Sequence, residues 1–570
     1  TQELVLRCAT AEDAERAQIA LTTNGAQVVL QPQVCTTQGV FQPANTFEPD
    51  PLRLAETANG LNPLLRHFGM IIHPPMLYLG FVGFIIPFAF AMAALASGEL
   101  SSNWIKATRR WTLVAWVFLS LGLILGGRWA YDVLGWGGYW GWDPVENAAF
   151  LPWLVGTAFL HSVMIQEKRG MLKVWNMFLV IGAFSAVLFG TFATRSGLID
   201  SVHSFARSEI GFPMLLFWSG MSIIGVALIL WRWNHEELRD EHTFGGLLSR
   251  ESLFVLNNIV FVALTVAIFW GSFGAPIISE LFLDTEITIG LDYYYQVTPP
   301  LFLAMYILMG IAPLSAWGAT SLRRLGRALT IPFVLTVVLV IGLIALGTPF
   351  TIAVLGYGIV CFAGFVALYE IYRGIKARRQ HLGENPLQAL MALFQRNRRR
   401  YGGYIIHLGV VVIGIGVIGS TLFQSETQRT LGIGEQLTLG EYALRLDNID
   451  AGLIAADGRL IDAADLTVFR NGGVITTIRP RIDRFFQNNG QVMPMTIAGQ
   501  YSTLENDIYA LLLDYDEPAQ TVTVKLYINP LVNLVWYGGL ILVLGTLIAA
   551  WPREPEPVHL RERRVIKATT

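Results

Sequence analysis

The chain carries eleven apolar runs of about twenty residues, near 76–96, 111–127, 148–166, 174–194, 212–231, 253–271, 299–318, 330–347, 350–371, 404–423 and 530–551. A bilayer core of about 30 Å takes roughly 20 such residues per helix, because every backbone polar group must be satisfied within the segment. The period changes between the last two runs. Pieces of 424–529 such as Asp465–Arg470 and Thr521–Leu526 alternate apolar and polar positions, broken by Gly458, Gly472, Gly473 and Pro518, which predicts a small β-domain. The expected fold is an all-α polytopic membrane protein of about eleven transmembrane helices, with an extracytoplasmic β-domain inserted before the last helix. Its parts are a polar segment 1–60, a helical core 61–423 containing a loop at 128–147, the β-domain 424–529, the helix 530–551 and a tail 552–570.

Charge gives the orientation. If the segment before residue 76 is outside, then 97–110, 167–173, 232–252, 319–329, 372–403 and 552–570 are cytoplasmic and hold 25 Lys and Arg. The short loops assigned outside hold only Arg128, Arg195 and Arg207. That asymmetry follows the positive-inside rule and supports the helix count as well as the direction. The run from Arg396 to Arg400 is read as part of it rather than as a patch for anionic lipid or nucleic acid.

Composition then removes several classes. With 53% hydrophobic and 14% charged residues the chain is not a soluble protein, and a net charge of -2 gives no reason to expect nucleic acid as a partner. Cys8, Cys35 and Cys361 are too few and scattered for a disulfide framework or a cysteine zinc site. There is no CxxC pair, no GxxxxGK[ST] and no HExxH. Residues 1–60 lack the basic and apolar regions of a signal peptide.

Of nine histidines, His235, His242, His381 and His559 fall in charged cytoplasmic segments, where solvated side chains are the plain reading. His161 and His407 lie inside apolar runs, where an ionisable group is costly and marks a functional site. His161 is roughly 10 Å and His407 roughly 6 Å from the cytoplasmic face at 1.5 Å per residue, so the two share a depth layer. That arrangement suits an axial pair for a haem iron. Hydrogen bonding to a neighbouring helix and protonation chemistry are the competing readings.

The outer loop runs Trp129-Ala-Tyr131-Asp-Val-Leu-Gly135-Trp136-Gly-Gly138-Tyr139-Trp140-Gly-Trp142-Asp143. An interfacial aromatic belt accounts for the rings. Four interleaved glycines fit equally a backbone that turns closely and presents flat faces for stacking a planar ligand, and composition alone does not choose between the two. His73 and His203 flank this loop on the same face and could bind a metal from two sides, iron or zinc.

The stretch WAYDVLGWGGYWGWDPVENAAFLPWL at 129–154 resembles the tryptophan-rich WWD signature of the haem-handling proteins of cytochrome c maturation. Its continuation is similar to the CcmF branch, which it shares with NrfE within the CcmF/NrfE/CcsA superfamily, rather than to the shorter CcmC proteins. IIHPPMLYLG around His73 and RSGLIDSVHSFA around His203 match the family's two external haem histidines. LHSVMIQEKRG around His161 and GGYIIHLGV around His407 match its two membrane histidines. The resemblance covers about residue 41 to the C-terminus, including VMPMTIAGQYSTLENDIYALL, and fails at 1–40, so a truncated or altered start is expected.

The resemblance implies a bacterial inner-membrane subunit of a haem lyase, acting within a complex, with the WWD loop and β-domain on the periplasmic side. It implies a structural haem b on His161 and His407. It also implies a transferable haem at the loop, held catalytically by His73 and His203 and contacted by Trp129, Trp136, Tyr139, Trp140, Trp142 and Asp143. Implied partners are apocytochrome c with its CxxCH thiols, a CcmE-like haem chaperone, a CcmH-like thiol component, quinol as reductant, and membrane lipid. Two other classes stay in view. A b-haem respiratory subunit would need a proton path, and few buried carboxylates line these helices. A haem exporter would need repeated halves, and no internal repeat is visible.

Overall fold

The computed structural model describes residues 33–35, 41–43, 62–197 and 209–552, apart from 284, 286, 349–350, 457, 487–491 and 517. Most of the N-terminal segment 1–60 therefore lies outside the described residues; Gln33–Cys35 and Phe41–Pro43 pair as antiparallel strands. The helices are α1 (Gly69–Ser97), α2 (Asn103–Val133), α3 (Pro144–Arg169), α4 (Lys173–Ser196), α5 (Gly211–Arg232), α6 (Arg250–Leu283), α7 (Leu291–Leu314), α8 (Leu322–Ala345), α9 (Ile352–Leu382), the short amphipathic α10 (Pro386–Arg396), α11 (Arg398–Leu422) and α12 (Asn533–Ala550). All but α10 are long and apolar enough to cross a membrane, eleven among the described residues, one on each apolar run of the sequence.

Several helices outrun their apolar stretches. The end of α2 extends to Val133 because Arg128 and Asp132, one turn apart and paired at 2.8 Å, continue the helix until Gly135. Trp129 and Tyr131 are consequently helical, and the irregular part of the aromatic stretch spans only 134–143.

The chain divides into two compact units. The helical unit comprises Pro75–Ile124, Gly141–Ile418 and the residues from Leu534. Its centre is α3 and α4, whose apolar windows are 72% and 67% buried, whereas those of α5 and α8 are 11% and 6% buried. Phe212, Ile223, Phe333 and Val338 on those two outer helices are left for hydrocarbon to cover.

The second unit comprises the residues up to Pro74, Leu125–Trp140 and Gly419–Asn533. Its strands are β1 (Ser425–Gly432), β2 (Gln436–Leu439), β3 (Tyr442–Ile454), β4 (Leu460–Arg470), β5 (Gly473–Ile478), β6 (Arg481–Phe486), β7 (Val492–Ile497), β8 (Gly499–Ser502), β9 (Asn506–Asp516) and β10 (Thr521–Pro530). They form two antiparallel sheets, ordered β8-β9-β10-β1 and β2-β3-β4-β6-β7, with β5 also on β4. The alternation read in the sequence fills the space between the sheets. Val522, Val524 and Leu526 of β10 meet Leu444, Leu446, Leu466 and Val468 of β3 and β4 in one fully buried cluster.

Candidate functional site

α3 begins on a capping box. Asp143 Oδ1 accepts from Val145 N at 2.8 Å, Glu146 Oε2 accepts from Asp143 N at 3.1 Å, and Pro144 occupies the first turn. His161 lies eight residues before the helix end at Arg169, about 12 Å along the axis. His407 lies nine residues into α11, about 13 Å from Arg398. Two helices thus bring imidazoles to one level, with ring centroids 6.3 Å apart and planes 12° from parallel.

Each ring is held differently. His161 Nδ1 is 2.8 Å from the Thr157 carbonyl oxygen. A carbonyl can only accept, so Nδ1 carries the proton and Nε2 presents a lone pair. His407 Nδ1 is buried with no hydrogen-bond partner among the described residues. The helix that carries it is fixed by close approach and by charge. Gly402 and Gly409 of α11 press against Gly545 and Gly538 of α12, where a Cβ at Gly409 would stand 2.5 Å from Leu542 N. Tyr404 Oη and Arg400 Nη2 donate to Glu370 Oε2 of α9 at 3.0 and 2.6 Å, and Arg373 donates to the other oxygen at 2.6 Å.

The histidines border a cavity of about 880 Å³, within the range of cofactor sites. Its walls near them are apolar: Phe254, Phe261, Met305 and Trp153 line it, with the Phe254 ring edge-on to His161 at 5.9 Å and the Phe261 ring 25° from parallel to it at 6.3 Å. Trp153 stacks on Trp116 at 5.7 Å, and both indole N–H groups are satisfied, by Ser120 and Thr157. Arg110 of α2, Lys168 near the end of α3, and Arg250 and Arg398 at the starts of α6 and α11 also line it.

The aromatic stretch is built from residues with different tasks. Trp129 is 2% exposed, packs with Phe485 and Met495, and donates to Leu64 O at 3.3 Å. Tyr131 is buried and donates to Asp507 of β9, which also accepts from Ser502. Asn529 of β10 donates to Tyr131 Oη at 2.8 Å and to the Gly137 carbonyl at 3.1 Å, and Gln424 donates to that carbonyl at 2.9 Å. Burial raises the Asp507 carboxyl above its ordinary value. Gly137 has φ +73°, and a Cβ there would reach 2.6 Å from the Tyr527 ring. Trp136 is 38% exposed, and Tyr139 shares a 3.1 Å hydrogen bond with Ser420. In the helical unit Trp142 takes φ +53°, rare for a non-glycine residue, and stacks on Tyr294 at 4.8 Å and 7°.

The chain is similar to known proteins. The family described as cytochrome c assembly protein matches residues 30–199, and the CcmF C-terminal beta-sandwich matches 422–530. The cytochrome c-type biogenesis proteins CcmF of Pseudomonas aeruginosa and of Escherichia coli K12 are each 36% identical to the chain. The alignments span 87% of the chain and 73% of the Pseudomonas protein, and 86% of the chain and 72% of the Escherichia protein. A solved structure titled cytochrome c heme lyase CcmF superposes with a TM-score of 0.67 at 31% identity, over 85% of this chain and 73% of that one. The chain belongs to the CcmF family. NrfE of Haemophilus influenzae is more distant, at 30% identity over 86% of the chain and 74% of NrfE.

As a CcmF protein the chain is a multi-pass membrane protein of cytochrome c biogenesis. Of the residues singled out in its sequence, His161 and His407 meet. His73, half-buried on α1, lies against α2, where a Cβ at Gly126 would come within 2.6 Å of its Cε1. His203 lies outside the described residues. Trp136, Tyr139 and Trp140 keep partly open faces, while Trp129 is buried and Asp143 caps α3. Tyr294, Asp507 and Asn529 were not foreseen. Asp507 stands in the segment LENDIYALL that carried the resemblance, but nothing local distinguishes a buried acid there from a solvated one.

Proposed function

We propose that this CcmF-family chain holds a b-type haem between His161 and His407, and serves as the lyase subunit that joins a second haem, its substrate, to the CxxCH thiols of an apocytochrome c. The imidazole pair carries the first part. His161 and His407, whose ring centres stand 6.3 Å apart, are the residues that would hold the iron. The Thr157 carbonyl fixes the His161 tautomer in the way outer-shell partners usually fix a metal-ligating histidine. The apolar walls and volume suit a macrocycle, so the residues present fit the group. When bound, haem supplies one-electron redox chemistry, with quinol as the proposed reductant. The chain's own part is to ligate through His161 and His407 and to exclude water with Phe254 and Phe261.

For the substrate haem we assign His73 and His203 as the axial pair, with Trp136, Tyr139 and Trp140 as stacking faces. Trp129, Trp142 and Asp143 support the backbone that presents them. We place this stretch and the β-sandwich on the periplasmic side, on the distribution of Lys and Arg among the loops. A CcmE-like chaperone would deliver haem there, and a CcmH-like subunit would present the thiols. Each thiol adds across a vinyl group, its sulfur to one carbon and its hydrogen to the other, with no net redox change. The protein's contribution is therefore proximity and orientation.

The experiment is a pair of measurements. His161→Ala and His407→Ala should each remove the Soret band from purified protein, and an unchanged band in both refutes the membrane pair. His73→Ala and His203→Ala should keep that band and abolish holocytochrome c formation in cells; normal holocytochrome in either strain refutes the outer pair.

A further inference from the structure

Along α6, Arg250, Phe254, Asn257 and Phe261 all line the cavity, and their spacing of four, three and four residues places them on one helix face. The two phenylalanines bracket His161. Arg250 lies about 11 Å from the midpoint of that bracket along the axis. The face thus offers aromatic walls at the level of the histidines and a cation two turns away.

Arg250 is built into its place but not saturated. Its Nη2 donates to the Pro313 carbonyl at 2.7 Å, its guanidinium stands 5.4 Å over the Trp317 ring, and its backbone N donates to Ala316 O at 2.9 Å. Its Nε is buried with no hydrogen-bond partner among the described residues. A guanidinium N–H in that state is costly unless something accepts it. The cavity also lacks negative charge. Glu167, its one lining carboxylate, is engaged by Arg109 and Arg399, and Glu370 nearby is engaged by Arg373 and Arg400. Arg110, Lys168 and Arg250 pair with no carboxylate among the described residues. Arg250 also opens α6, so the positive end of the helix dipole adds to its charge.

We infer that Arg250 is the anchor for a propionate carboxylate of the porphyrin ligated by His161 and His407, and so sets the in-plane orientation of the macrocycle. The inference rests on the proposed membrane haem. Haem has the required chemistry at both ends of the α6 face: a flat apolar body beside the phenylalanines and two carboxylates on flexible arms toward the cation. The contact is a charge-assisted fork that only the ionised acid can make.

Haem and its dimethyl ester separate this from ligation alone. Full-length protein depleted of haem is titrated in detergent with each, following the Soret band. The wild type should bind the ester about tenfold more weakly than the acid, and Arg250→Gln should bind both alike, at the affinity of the wild type for the ester. Arg250→Lys should recover part of the difference. Equal affinity of the wild type for acid and ester overturns the inference whether or not the variant folds. Loss of a co-purifying anionic phospholipid in Arg250→Gln, by native mass spectrometry with haem affinity unchanged, overturns it in favour of a lipid headgroup. If His161→Ala and His407→Ala both keep the Soret band, the membrane-haem reading itself has failed; if they lose it while acid and ester bind alike, only the role of Arg250 has.

Discussion

The most discriminating perturbation is a single methyl group placed two residues from His407. A Cβ at Gly409 would lie 2.5 Å from Leu542 N and 2.7 Å from Gly538 O, whereas ordinary contact begins near 3.4 Å. Both neighbours are backbone, so no rotamer change relieves the clash, and α11 and α12 must open by about 0.9 Å, the difference between 2.5 and 3.4 Å. The overpacking should cost about 1–3 kcal/mol. The more specific effect is on geometry, because a ligating constellation has to be held within roughly 0.5 Å. Gly409→Ala should therefore weaken haem retention about tenfold, as changes to the supporting shell of metal sites do, without removing a ligand. The assay is the haem-to-protein ratio of monodisperse purified protein, by pyridine haemochrome. Gly342→Ala on α8 is the control, since a Cβ there meets nothing within 4 Å. If Gly409→Ala keeps full haem while His407→Ala loses it, the glycine contact does not position the histidine.

Other outcomes follow from the same structure. Glu370→Gln removes the charge that Arg373, Arg400 and Tyr404 share; both arginines are half exposed, so the loss should stay near 3 kcal/mol, seen as a lower melting temperature together with haem loss. Gly137→Ala would force a left-handed φ on an L-residue and push on the Tyr527 ring, costing about 2 kcal/mol, and holocytochrome c yield in cells should fall while the Soret band stays. Asp507 titrates higher in the fold than its ordinary value because it is buried. Its contribution to stability is therefore full below about pH 4 and declines as pH rises through the elevated value. Asp507→Asn should flatten that decline in the melting-temperature profile above about pH 4, and an unchanged profile rules out the assigned cause.

The membrane helices were legible because hydrocarbon imposes one rule on every residue of a span, so eleven apolar runs became eleven helices. Their ends were less legible. α2 passes six residues beyond its apolar run since Arg128 and Asp132 satisfy one another, a local pairing that a hydropathy window averages away. The meeting of His161 and His407 followed from two depth estimates, and it worked because a helix converts residue count into height at a fixed rate. Height says nothing of rotation. The Thr157 carbonyl on α3 holds the His161 ring and the glycine seam of α11 with α12 holds the helix of His407, and that seam depends on a helix that follows the β-sandwich in the chain.

The aromatic stretch shows the same limit more sharply, because one composition conceals three duties. The sequence offers indoles and phenols at close spacing and no means of ranking them. Tyr131 becomes a buried strut because Asp507 and Asn529 arrive from β9 and β10, and Trp142 is committed because Tyr294 lies under its ring. Trp136 meets no such neighbour among the described residues and stays 38% exposed. Long-range partners therefore decide which rings are scaffold and which are surface, and the rings left over define the available platform. It follows that substitutions along 129–143 should fall into two groups in one experiment: those at Trp129 and Tyr131 should lower stability and haem transfer together, whereas Trp136→Leu should spare stability and impair transfer alone. A common effect of all three on stability would mean that the exposed indole is also part of the scaffold.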